Sequence, residues 1–257
     1  MKTYPVVEIT FSPTGGTKKV ADLISCYLGN ITNTVNLIRH DVSFSDVAVP
    51  SDSLAVIAAP VFEGVIPDIA IERMKEIQGN HANCVVIAVY GNRAYDDGLI
   101  QLKDTAELCG FNVIASVAAI AEHSIMRQFG SARPEEDSKE LKKFAEEILE
   151  KLSSDKELST DYFVPGSHEY KRLGNLSVVP KANASCTGCG KCAEACPTGA
   201  INKNNIRTGD SSKCISCMGC IAACPKGIRK LNPVFLAAAS LKMKDLLSGR
   251  KPNEIFL

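Results

Sequence analysis

Several features are scarce in this chain of 257 residues. It has no tryptophan, only 6% of its residues are aromatic, it contains four histidines, and its formal net charge is zero. No apolar run approaches the roughly 20 residues that a membrane-spanning helix requires. The first residues also lack the apolar stretch of a signal peptide. We therefore expect a cytoplasmic protein that has no membrane partner.

The net charge of zero hides an uneven distribution along the chain. Residues 1–180 carry 17 Lys and Arg against 25 Asp and Glu, a balance of −8, whereas residues 181–257 carry 12 against 4, a balance of +8. The basic half has no aromatic-interleaved or helical basic patch, which disfavours nucleic acid as a partner. With 45% hydrophobic residues, the chain has enough apolar material for a sizeable core. Its length favours two domains.

Eight of the eleven cysteines form two copies of the pattern C-x2-C-x2-C-x3-C-P, offset by 28 residues. The copies are Cys186, Cys189, Cys192 and Cys196, and Cys214, Cys217, Cys220 and Cys224. Disulfides are disfavoured because these cysteines are clustered in a chain that has no export signal. In this spacing, three thiolates from one tight loop hold a cubane cluster whose fourth ligand comes from elsewhere. The pattern predicts two 4Fe-4S clusters.

The fourth cysteine of each run is expected to ligate the cluster of the other run. Cluster one then takes Cys186, Cys189, Cys192 and Cys224, and cluster two takes Cys214, Cys217, Cys220 and Cys196. A zinc ribbon has no use for the third cysteine of each run or for the Cys-Pro step. Residues 181–232 resemble the bacterial two-cluster ferredoxins, with all eight cysteines and both prolines matching.

The N-terminal part alternates short apolar runs with helical patterns. The runs lie at residues 6–11, 34–37, 54–59, 85–90 and 113–120. Almost continuous Val, Ile and Ala runs separated by helices are typical of a parallel sheet that is covered on both faces. We therefore predict an α/β fold with a five-stranded doubly wound sheet. An amphipathic helix that begins at Pro134 is expected to close this domain.

The loss of periodicity after Ser153 suggests how the chain is divided. The predicted units are residues 1–153, a linker at 154–180, a small α+β cluster domain at 181–232, and a C-terminal helix and tail at 233–257. We expect the final helix to help dock the two domains.

A Ser/Thr/Gly loop follows the first predicted strand. It comprises Ser12, Pro13, Thr14, Gly15, Gly16 and Thr17. Backbone N–H groups at a helix N-terminus, together with hydroxyl donors, suit an oxyanion, although simple helix capping is an alternative. The loop is neither a Walker loop nor G-x-G-x-x-G. It resembles the FMN-phosphate loop of flavodoxins, [Ser/Thr]-x-Thr-Gly-x-Thr. This resemblance implies a bound FMN and the strand order 2-1-3-4-5.

Ligands of doubly wound sheets lie at the carboxyl ends of the strands, so the loops after strands three and four are expected to hold the flavin ring. The candidates are Pro60, Val61, Phe62, Gly64, Tyr90, Gly91, Asn92, Arg93 and Tyr95. Tyr95 is the preferred stacking residue, while core packing explains Tyr90 equally well. Many flavodoxins place a tryptophan against the ring, and this chain has none.

The whole chain resembles the flavodoxin-ferredoxin fusion proteins of anaerobic bacteria and archaea. The resemblance implies an FMN protein in about the first 150 residues, with the clusters behind it. Because FMN can transfer one or two electrons and each cluster transfers one, we expect a carrier of low-potential electrons between FMN, two 4Fe-4S clusters and external redox proteins. The direction of transfer stays open. One alternative is a flavin-dependent reductase of oxygen, a quinone or a corrinoid, and another is a non-catalytic module of a larger redox complex.

Five further residues are candidates for chemistry or for core packing. His123 follows the fifth predicted strand, where an imidazole could deliver protons to a reduced flavin. In the reductase hypothesis, His123 and Arg133 would line a substrate pocket. The alternative for His123 is a capping or solvated role. The other three cysteines, Cys26, Cys84 and Cys109, fall on apolar faces and are predicted to pack in the core.

Overall fold

The structure is a computed structural model that describes residues 3–129, 134–154, 158–174 and 176–257. The first domain begins with β1 (Tyr4–Thr10), α1 (Gly16–Leu28), β2 (Gly29–Asn36), β3 (Leu54–Pro60) and α2 (Asp68–Met74). It continues with β4 (Asn83–Tyr90), α3 (Gly98–Leu108), β5 (Asn112–Ile120) and α4 (Pro134–Ser153). The five strands pair in parallel in the order β2-β1-β3-β4-β5, which confirms the predicted fold class.

The sheet is parallel because its inner strands are apolar on both faces. All seven residues of β3 are buried, as are seven of the eight in β4 and eight of the nine in β5. One apolar core lies on each face of the sheet. Such two-sided burial is possible only when helices cover both faces, and this places the carboxyl ends of the strands, with their loops, at one edge.

A sixth strand that the sequence does not suggest lies at the edge of the sheet. It is β8 (Glu254–Phe256), which pairs antiparallel with β5 so that Ile255 lies opposite Val117. The C-terminus therefore returns to the first domain and covers the exposed hydrogen-bonding edge of β5. The predicted helix and tail at 233–257 thus include a strand of the larger sheet.

The cysteine-rich domain repeats its structure as well as its sequence. It contains β6 (Lys181–Ala182), α5 (Lys191–Glu194), a short 3-10 helix (Lys203–Asn205), α6 (Gly219–Ala222) and β7 (Arg229–Lys230). Helix α6 lies 28 residues after α5, and β6 pairs antiparallel with β7. Residues before both helices are left-handed, with φ of 81° at Gly190 and 62° at Met218. The 28-residue repeat is therefore a structural repeat.

The segment predicted as a linker packs against the first domain. The hydroxyl groups of Tyr162 and Ser116 lie 2.9 Å apart, and the N–H of Ser167 donates to Asp97 Oδ1 at 2.8 Å. Val164 is buried in the core beside β4 and α3. Because these contacts come from an irregular segment, no sequence period reveals them. The domain boundaries themselves stay predictions.

The last helix, α7 (Pro233–Leu247), connects the two parts of the structure. Its N-cap is Asn232, whose side chain accepts a hydrogen bond from the N–H of Val234. Most of the helix is exposed, including Leu241, and Leu247 is its buried end. Within the ranges that the structure describes, no helix has the length and apolar content needed to cross a membrane.

Candidate redox sites

Four cysteines line a cavity that residues 179–220 form. They are Cys196 from the first run and Cys214, Cys217 and Cys220 from the second. Apolar residues complete the wall, among them Val179, Pro180, Ile215 and Met218. The space measures about 380 Å³ including its open mouth. We call it the inner cavity.

The other four cysteines line a second cavity of nearly equal size, about 370 Å³ including its mouth. They are Cys186, Cys189 and Cys192 from the first run and Cys224 from the second. We call it the outer cavity. Each cavity therefore combines three cysteines of one run with the last cysteine of the other, the grouping that the repeat predicts. Iron ligation by these thiols stays a prediction.

The thiols of four cysteines surround each cavity. Among the described residues, no group of three or more His, Cys, Asp or Glu side chains meets the geometry for holding a metal ion. The thiols of each cavity instead stand around a space, as the four ligands of a cubane must because each binds a different iron. The donor set and its spacing thus fit the predicted clusters.

Thiols of the inner cavity are set in an apolar environment. Burial raises the pKa of Cys217 to about 12 and that of Cys220 to about 11. At Cys224 of the outer cavity burial acts in the same direction, but backbone N–H groups of residues 226–229 outweigh it and lower the pKa. Since only thiolates ligate iron, loading the inner cavity must release protons from the buried thiols.

The inner cavity lies against the first domain. A Cβ added to Gly219 would be 3.1 Å from the carbonyl oxygen of Pro13, so the Ser12–Thr17 loop and α6 are in direct contact. Arg73, a buried residue of α2, donates from Nη2 to the carbonyl oxygen of Pro197 at 2.6 Å. Its Nη1 donates to Leu37 O at 2.6 Å. Sequence patterns gave no signal for Arg73, because its partners are carbonyl oxygens from distant segments.

The Ser12–Thr17 loop has the geometry of an oxyanion site. Gly15 is left-handed, with φ of 88°, and a Cβ built there would meet nothing within 4 Å. Ser12 Oγ accepts a hydrogen bond from the N–H of Lys18 at 2.9 Å. Within the described chain, no partner is recorded for the N–H groups of Gly16 and Thr17, which begin α1. These two donors and the open space before Gly15 fit a phosphate group. Thr14 is exposed beside them.

The loop after β3 is held by one internal hydrogen bond and by two neighbouring segments. The N–H of Phe62 donates to Val65 O at 2.8 Å, and the N–H of Asp97 donates to Gly64 O at 3.0 Å. A Cβ on Gly64, whose φ is 91°, would lie 3.2 Å from the side chain of Leu173. The predicted ring residues of this loop are Pro60, Val61, Phe62 and Gly64. Their contact with a flavin stays a prediction.

The loop after β4 is bound to the C-terminal segment. Tyr90 donates its hydroxyl to Pro252 O at 2.5 Å, and Tyr95 donates to Glu254 Oε2 at 2.8 Å. Asn92 Nδ2 donates to Leu247 O at 2.6 Å. The remaining predicted residues are Gly91, which packs against His123, and Arg93, which forms an ion pair with Asp96.

The sequence identified these residues by type and position. It gave no signal that the hydrogen-bonding groups of Tyr90, Asn92 and Tyr95 engage residues 247–254. The flavin contacts proposed for this loop and the phosphate contacts proposed for the Ser12–Thr17 loop both remain predictions.

His123 has a structural role in its own turn. Its Nδ1 accepts hydrogen bonds from the N–H groups of Ile125 and Met126, both at 3.2 Å. Burial lowers the pKa of His123, which favours the neutral ring. Because Nδ1 accepts these two hydrogen bonds, the proton of the neutral ring is on Nε2. This is the capping alternative from the sequence. Arg133, its predicted partner in a substrate pocket, lies outside the described residues.

Comparisons with known proteins found one family model and several solved structures. Residues 185–228 match the family model of the 4Fe-4S dicluster domain. No curated protein matches the chain. Oxidised flavodoxin 1 from Bacillus cereus is a structural neighbour with 17% identity and a TM-score of 0.39, covering 57% of this chain and 97% of that chain. A flavodoxin from Fusobacterium nucleatum, bound to flavin mononucleotide, has 14% identity and a TM-score of 0.38, covering 58% and 98%.

The fold assignment depends on the strand order of the sheet. The order 2-1-3-4-5, with a phosphate-type loop after β1, is that of flavodoxins. The chain thus combines a flavodoxin-like α/β fold with a segment similar to 4Fe-4S dicluster domains, as its resemblance to flavodoxin-ferredoxin fusion proteins predicts.

Proposed function

We propose that this protein transfers low-potential electrons between FMN, two 4Fe-4S clusters and external redox proteins. The observation that carries the proposal is the crossed grouping of eight cysteines into two cavities. Gly219, which lies between the inner-cavity residues Met218 and Cys220, contacts Pro13 of the Ser12–Thr17 loop. When bound, FMN supplies both one-electron and two-electron chemistry, and each cluster supplies one-electron chemistry.

The chain's own residues provide binding sites and relative position. The N–H groups of Gly16 and Thr17, with the hydroxyl groups of the same loop, would hold the FMN phosphate. The four thiolates of each cavity would hold a cluster. Contact between Pro13 and Gly219 fixes the phosphate loop beside the inner cavity. Because both sites are in one chain, the effective concentration of one near the other is high.

The apolar wall of the inner cavity has a second role. Val179, Pro180 and Met218 line it, and Met218 is almost fully buried. Such residues exclude water, which lowers the local dielectric constant, and cluster potentials depend on solvent exposure and charge. We expect the two cavities to give clusters of different potential for this reason.

The reductase alternative receives no support from the described residues. His123 was the predicted proton donor, yet its Nδ1 is occupied by two backbone N–H groups. A second ring nitrogen, Nε2, would carry a proton but would have to reach a substrate from a half-buried ring. We therefore retain electron transfer as the proposed function.

Anaerobic purification followed by iron, sulfide and flavin quantification tests the proposal. Two cubanes and one flavin site predict about eight irons, about eight sulfides and one FMN per chain. Stoichiometric zinc, or an absence of flavin after reconstitution with FMN, would contradict the proposal.

A matched pair of variants tests the phosphate site. Thr17 is buried at the start of α1, and Thr34 is exposed on β2. We expect Thr17→Val to weaken FMN binding by about tenfold, because one donor to the phosphate is lost, while the iron content stays unchanged. Thr34→Val should bind FMN normally. Equal affinity in both variants would show that Thr17 does not contact the phosphate.

A further inference from the structure

The two cysteine cavities differ in their exposure to solvent. In the inner cavity Cys217 and Cys220 are buried, whereas Cys189 in the outer cavity is exposed and Cys186 is half-buried. Two contacts join the surroundings of the inner cavity to the first domain. Arg73 donates to the carbonyl oxygen of the lining residue Pro197, and Gly219, next to the lining residues Met218 and Cys220, lies against Pro13. The outer cavity is therefore the end of the cysteine domain that an external protein can approach.

Basic side chains surround the outer cavity. Lys226 lines it directly, and Lys191 precedes the ligand candidate Cys192. Lys181 pairs with Lys230 across the two-stranded sheet, next to the lining residues Ala182 and Arg229. Arg207 lies beside the outer cavity, since its Nη2 donates to Ala184 O at 3.2 Å and the cavity residues Ala182 and Cys186 lie on either side of Ala184 in the sequence. We call the exposed residues Lys181, Lys191, Arg207, Lys226 and Lys230 the basic rim.

The carboxylates of the chain do not neutralise this charge, although thiolates that ligate two clusters would lower it. Residues 181–232 contain eight Lys and Arg against two acidic residues, Glu194 and Asp210, a balance of +6 before any cluster is counted. Glu194 lies 3.9 Å from Lys203, which is outside the rim. Within the described ranges, no ion pair joins a rim side chain to a carboxylate. The acidic first domain contacts the opposite, inner side.

From these observations we propose that the basic rim is the docking surface for an acidic redox protein. The inference rests on the proposed function, since docking beside Cys189 has a purpose only if the outer cavity holds a cluster. Complementary charge raises the association rate of transient redox partners and orients them. The rim combines that charge with the exposed edge of a cysteine site.

A protein fits this surface better than a nucleic acid does. Residues 181–232 contain no Phe, Tyr or Trp on which bases could stack. The rim residues come from two short strands, two turns and the first residue of the four-residue helix α5, so they form no basic helix for a groove. An acidic protein needs only charge complementarity and close approach to Cys189.

Binding measurements under anaerobic conditions test the proposal, with a small acidic two-cluster ferredoxin as the probe. We expect binding that weakens steeply between about 50 mM and 300 mM salt, because exposed charges are screened. The double variant Lys181→Glu, Lys226→Glu should reduce the association rate by about tenfold or more. The matched control is Lys143→Glu on α4, an exposed residue far from the rim, which should bind like the unaltered protein.

Iron and flavin are measured on every variant before binding, so the two proposals can fail separately. Loss of iron in the unaltered protein would refute the proposed function. Normal iron with equal association rates for the rim and control variants would refute the docking surface. Tighter binding of a basic cytochrome c or of a single-stranded oligonucleotide at the rim would also overturn it. If only the rim variant contains fewer than about eight irons, its substitutions have disturbed the outer cavity. The association rate is then measured with Lys230→Glu, because Lys230 does not line the cavity.

Discussion

The inner and outer cavities arise from the same sequence repeat but have different surroundings. Both take four cysteines with the same crossed grouping, and both measure nearly 400 Å³. The inner one has the more deeply buried cysteines and lies next to residues that contact the first domain, while the outer one includes the exposed Cys189 and lies beside the basic rim. The repeat therefore sets the ligands, and the docking of the domains makes the two sites unequal.

A single pair of equivalent positions shows how the asymmetry arises. Gly190 precedes α5, and Met218 occupies the same left-handed position before α6. Left-handed backbone is costly for methionine, so its buried side chain must compensate by packing in the inner cavity. At the equivalent position of the outer cavity, Gly190 has no side chain that could pack against the cysteines.

The largest expected effect comes from removing one predicted ligand from each cavity, which tests whether the two cavities differ in their coupling to the first domain. Cys217→Ala and Cys189→Ala should each lower the iron content from about eight to about four per chain. Only Cys217→Ala should also increase hydrogen exchange in the Ser12–Thr17 loop, because the inner cavity holds that loop in place. Iron analysis and exchange mass spectrometry measure the two effects.

The unaltered protein and Cys26→Ala are the controls for this prediction, since Cys26 is an exposed residue of α1. If both ligand variants raised exchange in the loop equally, the two cavities would be equivalent in their coupling to the first domain. That result would contradict the asymmetry.

The second prediction concerns the contact that covers the inner cavity. Arg73→Met removes hydrogen bonds to the carbonyl oxygens of Leu37, Ile38 and Pro197. We expect the free energy of unfolding to fall by about 3 kcal/mol, because charged hydrogen bonds are lost and buried acceptors are left without a partner. Urea unfolding of the anaerobic holoprotein, followed by circular dichroism, provides the measurement.

Arg39→Met is the matched control, because Arg39 is exposed and pairs only with exposed Asp41. Its loss should leave stability nearly unchanged, as for most surface ion pairs. A small effect of Arg73→Met would mean that the domains dock through apolar contacts such as that of Ile215 and not through Arg73.

The C-terminal segment offers a third and smaller test. Tyr95→Phe removes the hydrogen bond to Glu254 while keeping the ring in place. Burial, and then the neighbouring carboxylate, raise the pKa of Tyr95, so its hydroxyl is a neutral donor at physiological pH. We expect the local opening free energy of β8 to fall by about 1 kcal/mol, roughly a fivefold loss of exchange protection in residues 250–257.

The half-exposed Tyr27 on α1 provides the control variant Tyr27→Phe, which should leave β8 unaffected. Unchanged protection in Tyr95→Phe would indicate that Tyr90 and Asn92 hold the segment alone. Increased FMN affinity in Tyr95→Phe would show, in addition, that the segment competes with the flavin for this loop.

Much of the fold was predictable because its signals are periodic or repeated. Continuous apolar runs such as that of β3 indicated a buried parallel sheet, and the 28-residue offset indicated which cysteines would meet. The prediction for Cys84 is confirmed, since it is buried in β4, and Cys109 packs partly buried beside the same core. The prediction for Cys26 is wrong: the buried stripe of α1 passes through Ile24 and Leu28, and Cys26 lies off it.

The features that were not predicted depend on single long-range contacts. Strand β8 has three residues, too few for a period, and Arg73 acts through carbonyl oxygens that carry no sequence signal. The sequence predicts Tyr90 and Tyr95 as contacts of the flavin ring, but the hydrogen-bond partners of their hydroxyl groups lie about 160 residues later in the sequence. Residue type and loop position could not distinguish a cofactor contact from a contact with the C-terminus.

The smallest expected effect concerns pH and the turn after β5. Burial holds the pKa of His123 below its ordinary value of about 6.5, so the opened turn binds a proton at a pH where the closed turn does not. Protection of residues 123–129 should therefore be complete above about pH 6.5 and decline as the pH falls below it. His123→Asn keeps an acceptor for the N–H groups of Ile125 and Met126 but cannot titrate. Exchange rates corrected for their intrinsic pH dependence should show a smaller decline in this variant than in the exposed-residue control His40→Asn. An equal decline in both would assign the pH dependence to another group and leave His123 as a neutral cap only.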